Sequence, residues 1–189
     1  MLSAKLGHIF DKPLRRLAQK IPLSPNALTV IGFLITGGAA FAISHNLVLG
    51  GILMLIGAFF DMLDGIVARA TGKVTKFGAF LDSVLDRCSD AFLFLAIAWY
   101  LAGNNNHVGA FLSIGTLVGA FLVSYARARS EGLGETCHVG LLERPERIIL
   151  LIFAAITGWL VPVLWIMLIL THITVVQRIH HVWRVTRRQ

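Results

Sequence analysis

Five of the chain's ten acidic residues, Asp61, Asp64, Asp82, Asp86 and Asp90, fall within thirty positions, at the ends of two strongly apolar stretches. On helices, Asp61 and Asp64 share one face three residues apart. Asp82, Asp86 and Asp90 recur every fourth residue along a stripe that Gly78 extends. The intervening segment ARATGKVTK is short, so the chain returns as an antiparallel hairpin and the two acidic stripes can face each other. A carboxylate near the centre of a membrane helix costs about 2.5–3.5 kcal/mol on insertion scales, and several converging ones repel and become protonated unless a cation joins them. Hard oxygen donors without His or Cys select Mg²⁺, Mn²⁺ or Ca²⁺. Two such ions about 3.5–4 Å apart can stabilise the attacking and leaving oxygens of a phosphoryl displacement. Gly65, Ala68 and Gly78 are small enough to let a phosphate-bearing ligand approach the helix backbones, and Arg69 adds a guanidinium fork for phosphate. Capping or pairing would explain one intramembrane aspartate; five at helical spacing need more. Asp90, the deepest, is the exception, and is expected to pair with Arg87, a ring nitrogen or a backbone group.

The elements that carry these residues are legible as long apolar runs in a chain of 189 residues, 56% of them hydrophobic, with a mean hydropathy of +0.76. Runs over 26–43, 47–60, 91–103, 108–126, 148–160 and 161–176 each approach the ~20 residues that cross a bilayer. The fold class is therefore an all-α integral membrane protein with six transmembrane helices. The tightest connection, between the fifth and sixth runs, is assigned to Trp159 and Pro162. Ahead of the first run, LGHIFDKPLRRLAQKI sets Leu6, Ile9, Phe10, Leu14, Leu17 and Ile21 against basic residues, which predicts an interfacial amphipathic helix rather than a cleavable leader. Three parts follow: a juxtamembrane helix over 1–24, a six-helix domain over 25–183 and a basic tail over 184–189.

Lys and Arg collect before span one, after span two, between spans four and five and after span six, with Arg87 the one exception. Positive loops stay cytoplasmic, so both termini are expected on the cytoplasmic side of the cell membrane. Topology and anionic lipid account for the net charge of +7; no nucleic-acid partner is needed. Cys88 and Cys137 suggest neither a disulfide nor a zinc site.

Residues 61–86, DMLDGIVARATGKVTKFGAFLDSVLD, resemble the signature of the CDP-alcohol phosphotransferases, D-x2-D-G-x2-A-R-x8-G-x3-D-x3-D. Asp61, Asp64, Gly65, Ala68, Arg69, Gly78, Asp82 and Asp86 occupy its fixed positions. The resemblance implies a six-helix fold, a homodimer and an active site open to the cytoplasm. It implies that Asp61, Asp64 and Asp82, with Asp86, hold Mg²⁺ or Mn²⁺, two ions, and that Asp86 is the general base. It also implies that Gly65, Ala68, Arg69 and Gly78 contact the CDP part of a CDP-diacylglycerol-type lipid. The segments SYARARSEGLG, LLERPERI and VVQRIHHV are similar to the phosphatidylinositol-phosphate synthase branch. That likeness implies a pocket of Arg127, Arg147 and Arg178 for the phosphate of a soluble phosphorylated polyol, inositol phosphate, although Arg127 stands where such proteins commonly have Lys. Arg129 and Arg144 are read as topological anchors, or as partners of Glu131, Glu143 or Glu146. Asn26 and Thr29, beside Pro25 at the start of span one, resemble the family's entry segment, but a helix start wants such residues anyway. A phosphatidylglycerophosphate synthase using glycerol 3-phosphate is the neighbouring reading. A divalent-cation transporter is the alternative from another class, disfavoured because the carboxylates gather near one membrane surface.

Overall fold

The computed structural model describes residues 21–187. These form six α-helices: α1 Pro25–Ile43, α2 Leu47–Thr71, α3 Lys76–Gly103, α4 His107–Glu131, α5 Arg144–Thr157 and α6 Leu160–Thr186. The amphipathic helix expected over 1–24 lies outside the described residues except for 21–24, which are not helical.

The first four helices start where short polar side chains can cap them. The Ser24 hydroxyl accepts from Ala27 N at 3.2 Å, Asn46 Oδ1 from Leu49 N at 3.1 Å, Thr75 Oγ1 from Gly78 N at 3.0 Å and Asn106 Oδ1 from Gly109 N at 2.8 Å. Gly72, at φ +68°, closes α2 in the left-handed conformation, so the hairpin that carries the acidic stripes turns within four residues, 72–75.

The turn between α5 and α6 is made only in part as the sequence suggested: Trp159 lies in it as the cap residue of α6. Gly158, at φ +76°, ends α5, while Pro162 sits in the first turn of α6, where a missing N–H leaves no intrahelical bond unmade. α6 also runs on to Thr186, so residues 184–186 of the anticipated tail are helical.

α1, α2, α4 and α6 are long and apolar enough to cross a membrane. α3 has the length, but Asp82, Asp86, Arg87 and Asp90 charge its first half. α5 has only 14 residues, about 21 Å of helix against a hydrocarbon layer of about 30 Å.

A single large core of Ile43, Met54, Phe94, Ile97, Leu151, Leu164 and Met167 joins the helices, while Phe41, Trp99 and Phe111 stand outward and exposed. Helices approach closely over small residues, as lipid-embedded helices do. α1 packs on both α2 and α3, whereas α2 and α3 share little direct packing, which leaves the acidic faces a gap to look across. Gly57 on α2 is one point of close approach: a Cβ there would stand 2.5 Å from Thr36 Oγ1 and 3.4 Å from the Gly32 carbonyl oxygen of α1. Gly57→Ala is expected to lower the thermal unfolding midpoint in detergent, because overpacking costs about 1–3 kcal/mol. Gly37→Ala, whose new methyl meets nothing within 4 Å, should leave the midpoint unchanged or raise it.

Candidate active site

The end of α2, the start of α3 and the first turn of α5 meet around a cavity of about 440 Å³. Asp61, Asp64, Gly65, Arg69, Asp82 and Arg144 line its polar side; Met54, Leu55, Ile148, Ile149 and Ile152 line its apolar side. Of the residues singled out in the sequence, Ala68, Gly78, Asp86, Asp90, Arg127, Arg147 and Arg178 are not among the lining. A Cβ at Gly78 would come within 2.9 Å of Asn26 Oδ1, so this glycine admits the start of α1 close to α3. Thr29, one turn into α1, stands beside the Asp64 carboxylate. The N-terminus of α1, set aside in the sequence as an ordinary helix start, thus forms one wall of the site. Gly32 does the same for Asp61, since a Cβ there would lie 2.5 Å from Asp61 Oδ1.

The largest departure from expectation is Arg144, which is no surface anchor. Its Nη2 donates to Asp61 Oδ2 at 2.8 Å, its Nη1 stands 2.7 Å from Asp86 Oδ1 and its Nε lies 3.9 Å from Asp90 Oδ1. One guanidinium therefore bridges a carboxylate of α2 and a carboxylate of α3, a geometry that its planar fork fits and a lysine would not. The sequence did hold part of the signal: a carboxylate cluster needs cationic charge, and ERPER, which opens α5, carries two arginines that can supply it.

Asp90 pairs with Arg147, not with Arg87. Arg147 Nη2 donates to Asp90 Oδ2 at 2.7 Å, with both side chains almost fully buried. Arg87 instead donates to the Ser83 carbonyl oxygen at 2.6 Å and lies 3.6 Å from Asp86 Oδ2.

Arg178, 2% exposed, donates Nη1 to Val123 O at 2.6 Å, Nε to Val139 O at 2.9 Å and Nη2 to Glu143 Oε1 at 3.1 Å. Arg127 pairs with Glu131 at 2.9 Å across one helical turn. Arg127 and Arg147 both lie close enough to Arg178 to act on it electrostatically. The three arginines expected to form an anion pocket thus share one neighbourhood, each with a carboxylate partner.

Whether the residues suit a divalent cation turns on Asp64. Its Oδ2 is buried without a hydrogen-bond partner, in a residue 7% exposed that lines the cavity. A buried carboxylate oxygen left unpaired is costly, and with Asp61 and Asp82 facing the same space the donor set is all oxygen, as Mg²⁺ and Mn²⁺ prefer. The residues fit such an ion. Among the described residues no three acidic, His or Cys groups stand within ligating distance of one centre; Arg144 lies between Asp61 and Asp86 instead.

The CDP-alcohol phosphatidyltransferase family model matches residues 22–178. The chain is 43% identical over 185 residues to the archaetidylinositol phosphate synthase of Pyrococcus horikoshii, covering 95% of each protein. It is 38% identical to the phosphatidylinositol phosphate synthase of Corynebacterium glutamicum, covering 93% of this chain and 84% of that one. Among solved structures it is similar to the phosphatidylinositol phosphate synthase of Mycobacterium tuberculosis with CDP-DAG bound, at a TM-score of 0.82 and 31% identity, covering 92% of this chain and 93% of that one. A second crystal structure of that protein, in complex with manganese and citrate, gives a TM-score of 0.81 at 31% identity, covering 92% of this chain and 88% of that one.

Replacing Arg144 by Gln removes the positive charge between Asp61 and Asp86. The metal-free variant is expected to lose about 3 kcal/mol, the lower end of the cost of stranding one partner of a buried pair. Added Mn²⁺ should raise its unfolding midpoint more than that of the parent protein. Equal midpoints without metal would contradict this role for Arg144.

Proposed function

The chain belongs to the CDP-alcohol phosphatidyltransferase family, and we propose that it transfers the phosphatidyl group of a CDP-diacylglycerol-type lipid to a hydroxyl of inositol phosphate, releasing CMP. The observation that carries this reading is one cavity lined by Asp61, Asp64, Asp82, Arg69 and Arg144 together with a mainly apolar set that includes Met54, Leu55, Ile148, Ile149 and Ile152. Such a division suits a ligand with a diphosphate at one end and hydrocarbon at the other. The choice of acceptor is supported by the inositol phosphate synthases to which the chain is similar and by the cluster of Arg127, Arg147 and Arg178.

Asp61, Asp64, Asp82 and Asp86 would hold Mg²⁺ or Mn²⁺, two ions, which when bound offset the negative charge developing on the diphosphate. Arg69 orients the phosphates. Gly65 makes room for it, since a Cβ there would stand 3.1 Å from Arg69 Nη1. Asp86 accepts the proton of the attacking hydroxyl. Its Oδ1 is engaged by Arg144 at 2.7 Å, so Oδ2, 3.6 Å from Arg87, is the oxygen left for that proton. The acceptor oxygen then bonds to the lipid-side phosphorus, the bond from that phosphorus to CMP breaks, and CMP departs with its electron pair. An acceptor phosphate would compete with Glu143 for Arg178 and with Glu131 for Arg127, which makes both ion pairs displaceable covers of the pocket. Ala68 and Gly78, which do not line the cavity, are assigned to the CDP part by the family resemblance.

Six spans, both termini at the cytoplasmic face of the cell membrane and a homodimer belong to the same proposal. The first two are supported by the confinement of Lys and Arg, Arg87 apart, to one set of loops and ends. The homodimer is supported by the family resemblance.

The test is CMP release from CDP-diacylglycerol by purified protein in proteoliposomes with Mg²⁺, offering inositol phosphate, glycerol 3-phosphate, free inositol or serine. Release with inositol phosphate alone is expected, and Asp86→Asn should reduce it by about 10²-fold or more while CDP-lipid still binds. Preference for glycerol 3-phosphate would overturn the acceptor, and normal turnover in Asp86→Asn would overturn the base.

A further inference from the structure

Asp90 lies outside the eight fixed positions of the motif, one helical turn beyond Asp86, yet it is 2% exposed and bound to Arg147 at 2.7 Å. α3 and α5 share little direct packing, so this ion pair reaches between helices whose backbones do not approach closely. As a strut it would be a poor choice, because a buried ion pair generally stabilises no better than an apolar pair of the same volume.

The contrast with Arg178 points to another role. Arg178 places three donors on Val123, Val139 and Glu143. Arg147, 1% exposed, has Asp90 as its one hydrogen-bonding partner among the described residues, and its Nε has none. A guanidinium carries five N–H donors, and buried donors are normally satisfied. Arg147 is thus a buried cation fixed from one side, with donors left for an anion. Asp90 Oδ1, also without a hydrogen bond, lies 3.9 Å from Arg144 Nε, which links the same carboxylate to the arginine between Asp61 and Asp86.

We propose that Asp90 is the positioning residue of the acceptor pocket. It holds the Arg147 guanidinium from α3 in the orientation that meets the acceptor's phosphate and, through Arg144, keeps that pocket in register with the transferring carboxylates. This rests on the reading of Arg147 as an acceptor ligand, so the experiment separates the two. KM and kcat are measured for inositol phosphate and for CDP-diacylglycerol in the wild type, Asp90→Asn, Asp90→Glu, Arg147→Ala and the Asp90→Asn/Arg147→Ala double variant.

Loss of one charge-assisted hydrogen bond should raise the acceptor KM of Asp90→Asn about tenfold or more, with the CDP-lipid KM changed less than about twofold. Asp90→Glu should recover part of the loss, and the double variant should be no worse than Arg147→Ala alone, because the two residues act as one unit. If Arg147→Ala raises the acceptor KM while Asp90→Asn leaves it unchanged, the positioning role is wrong. If Asp90→Asn raises both KM values alike, or fails to fold while Asp90→Glu matches the wild type, Asp90 is structural and the inference is overturned. If Arg147→Ala itself leaves the acceptor KM unchanged, the acceptor pocket fails and the inference falls with it.

Discussion

Carboxylates in an apolar helical bundle can stay charged only where cations meet them, and here the protein supplies those cations from the first turn of α5. Asp61, Asp86 and Asp90 sit on two helices that barely touch, and Arg144 and Arg147 enter between them. Insertion scales put a central intramembrane aspartate at about 2.5–3.5 kcal/mol, so three unpaired ones would cost an amount comparable with the whole stability of a typical domain. Asp64 stands apart from this arrangement, with one oxygen buried and unpaired. The charge balance is close enough to fold the chain and leaves oxygen available to a divalent cation.

Much of the remaining architecture serves to bring that turn to the carboxylates. α5 is short, and Gly158 turns the chain directly into α6. At its other end, Glu143 occupies the cap position without capping the helix, because its carboxylate is held by Arg178. The preceding loop is fastened to α6 by Thr174, whose hydroxyl accepts from Leu141 N and Leu142 N at 3.2 Å each, and by the Arg178 bond to Val139. Gly140 follows the same logic: at φ +145°, a Cβ there would approach Thr174 to 2.6 Å. Glu143, Arg144 and Arg147 thus connect the proposed acceptor pocket to the carboxylate wall within five residues of chain.

The sequence made the acidic stripes legible because helical periodicity places residues three and four apart on one face whatever their neighbours do. The hairpin was legible because the segment ARATGKVTK is too short for anything but an antiparallel return. Long-range pairing is different. Arg144 and Asp61 are 83 residues apart, and nothing in the segment ERPER distinguishes the arginine that turns toward α2 and α3 from one that anchors a loop. The same limitation gave Asp90 the wrong partner, since Arg87 is near in sequence but Arg147 is near in space. Pro162 was misassigned because a proline marks a helix's first turn as readily as a break. The family resemblance supplied what periodicity could not, a proposal for the acceptor residues, and Arg127 and Arg147 lie near Arg178 in the structure.

This carboxylate wall is expected to take a divalent cation, with Asp64 Oδ2, buried and without a partner, at its heart. Titration of purified protein with Mn²⁺, followed by electron paramagnetic resonance, tests it directly against Asp64→Asn, a substitution that keeps the shape of the side chain and removes its charge. The account predicts saturable Mn²⁺ binding in the parent protein, weakened about tenfold or more in the variant, as for the loss of a charged ligand. Identical binding in the two proteins would contradict it.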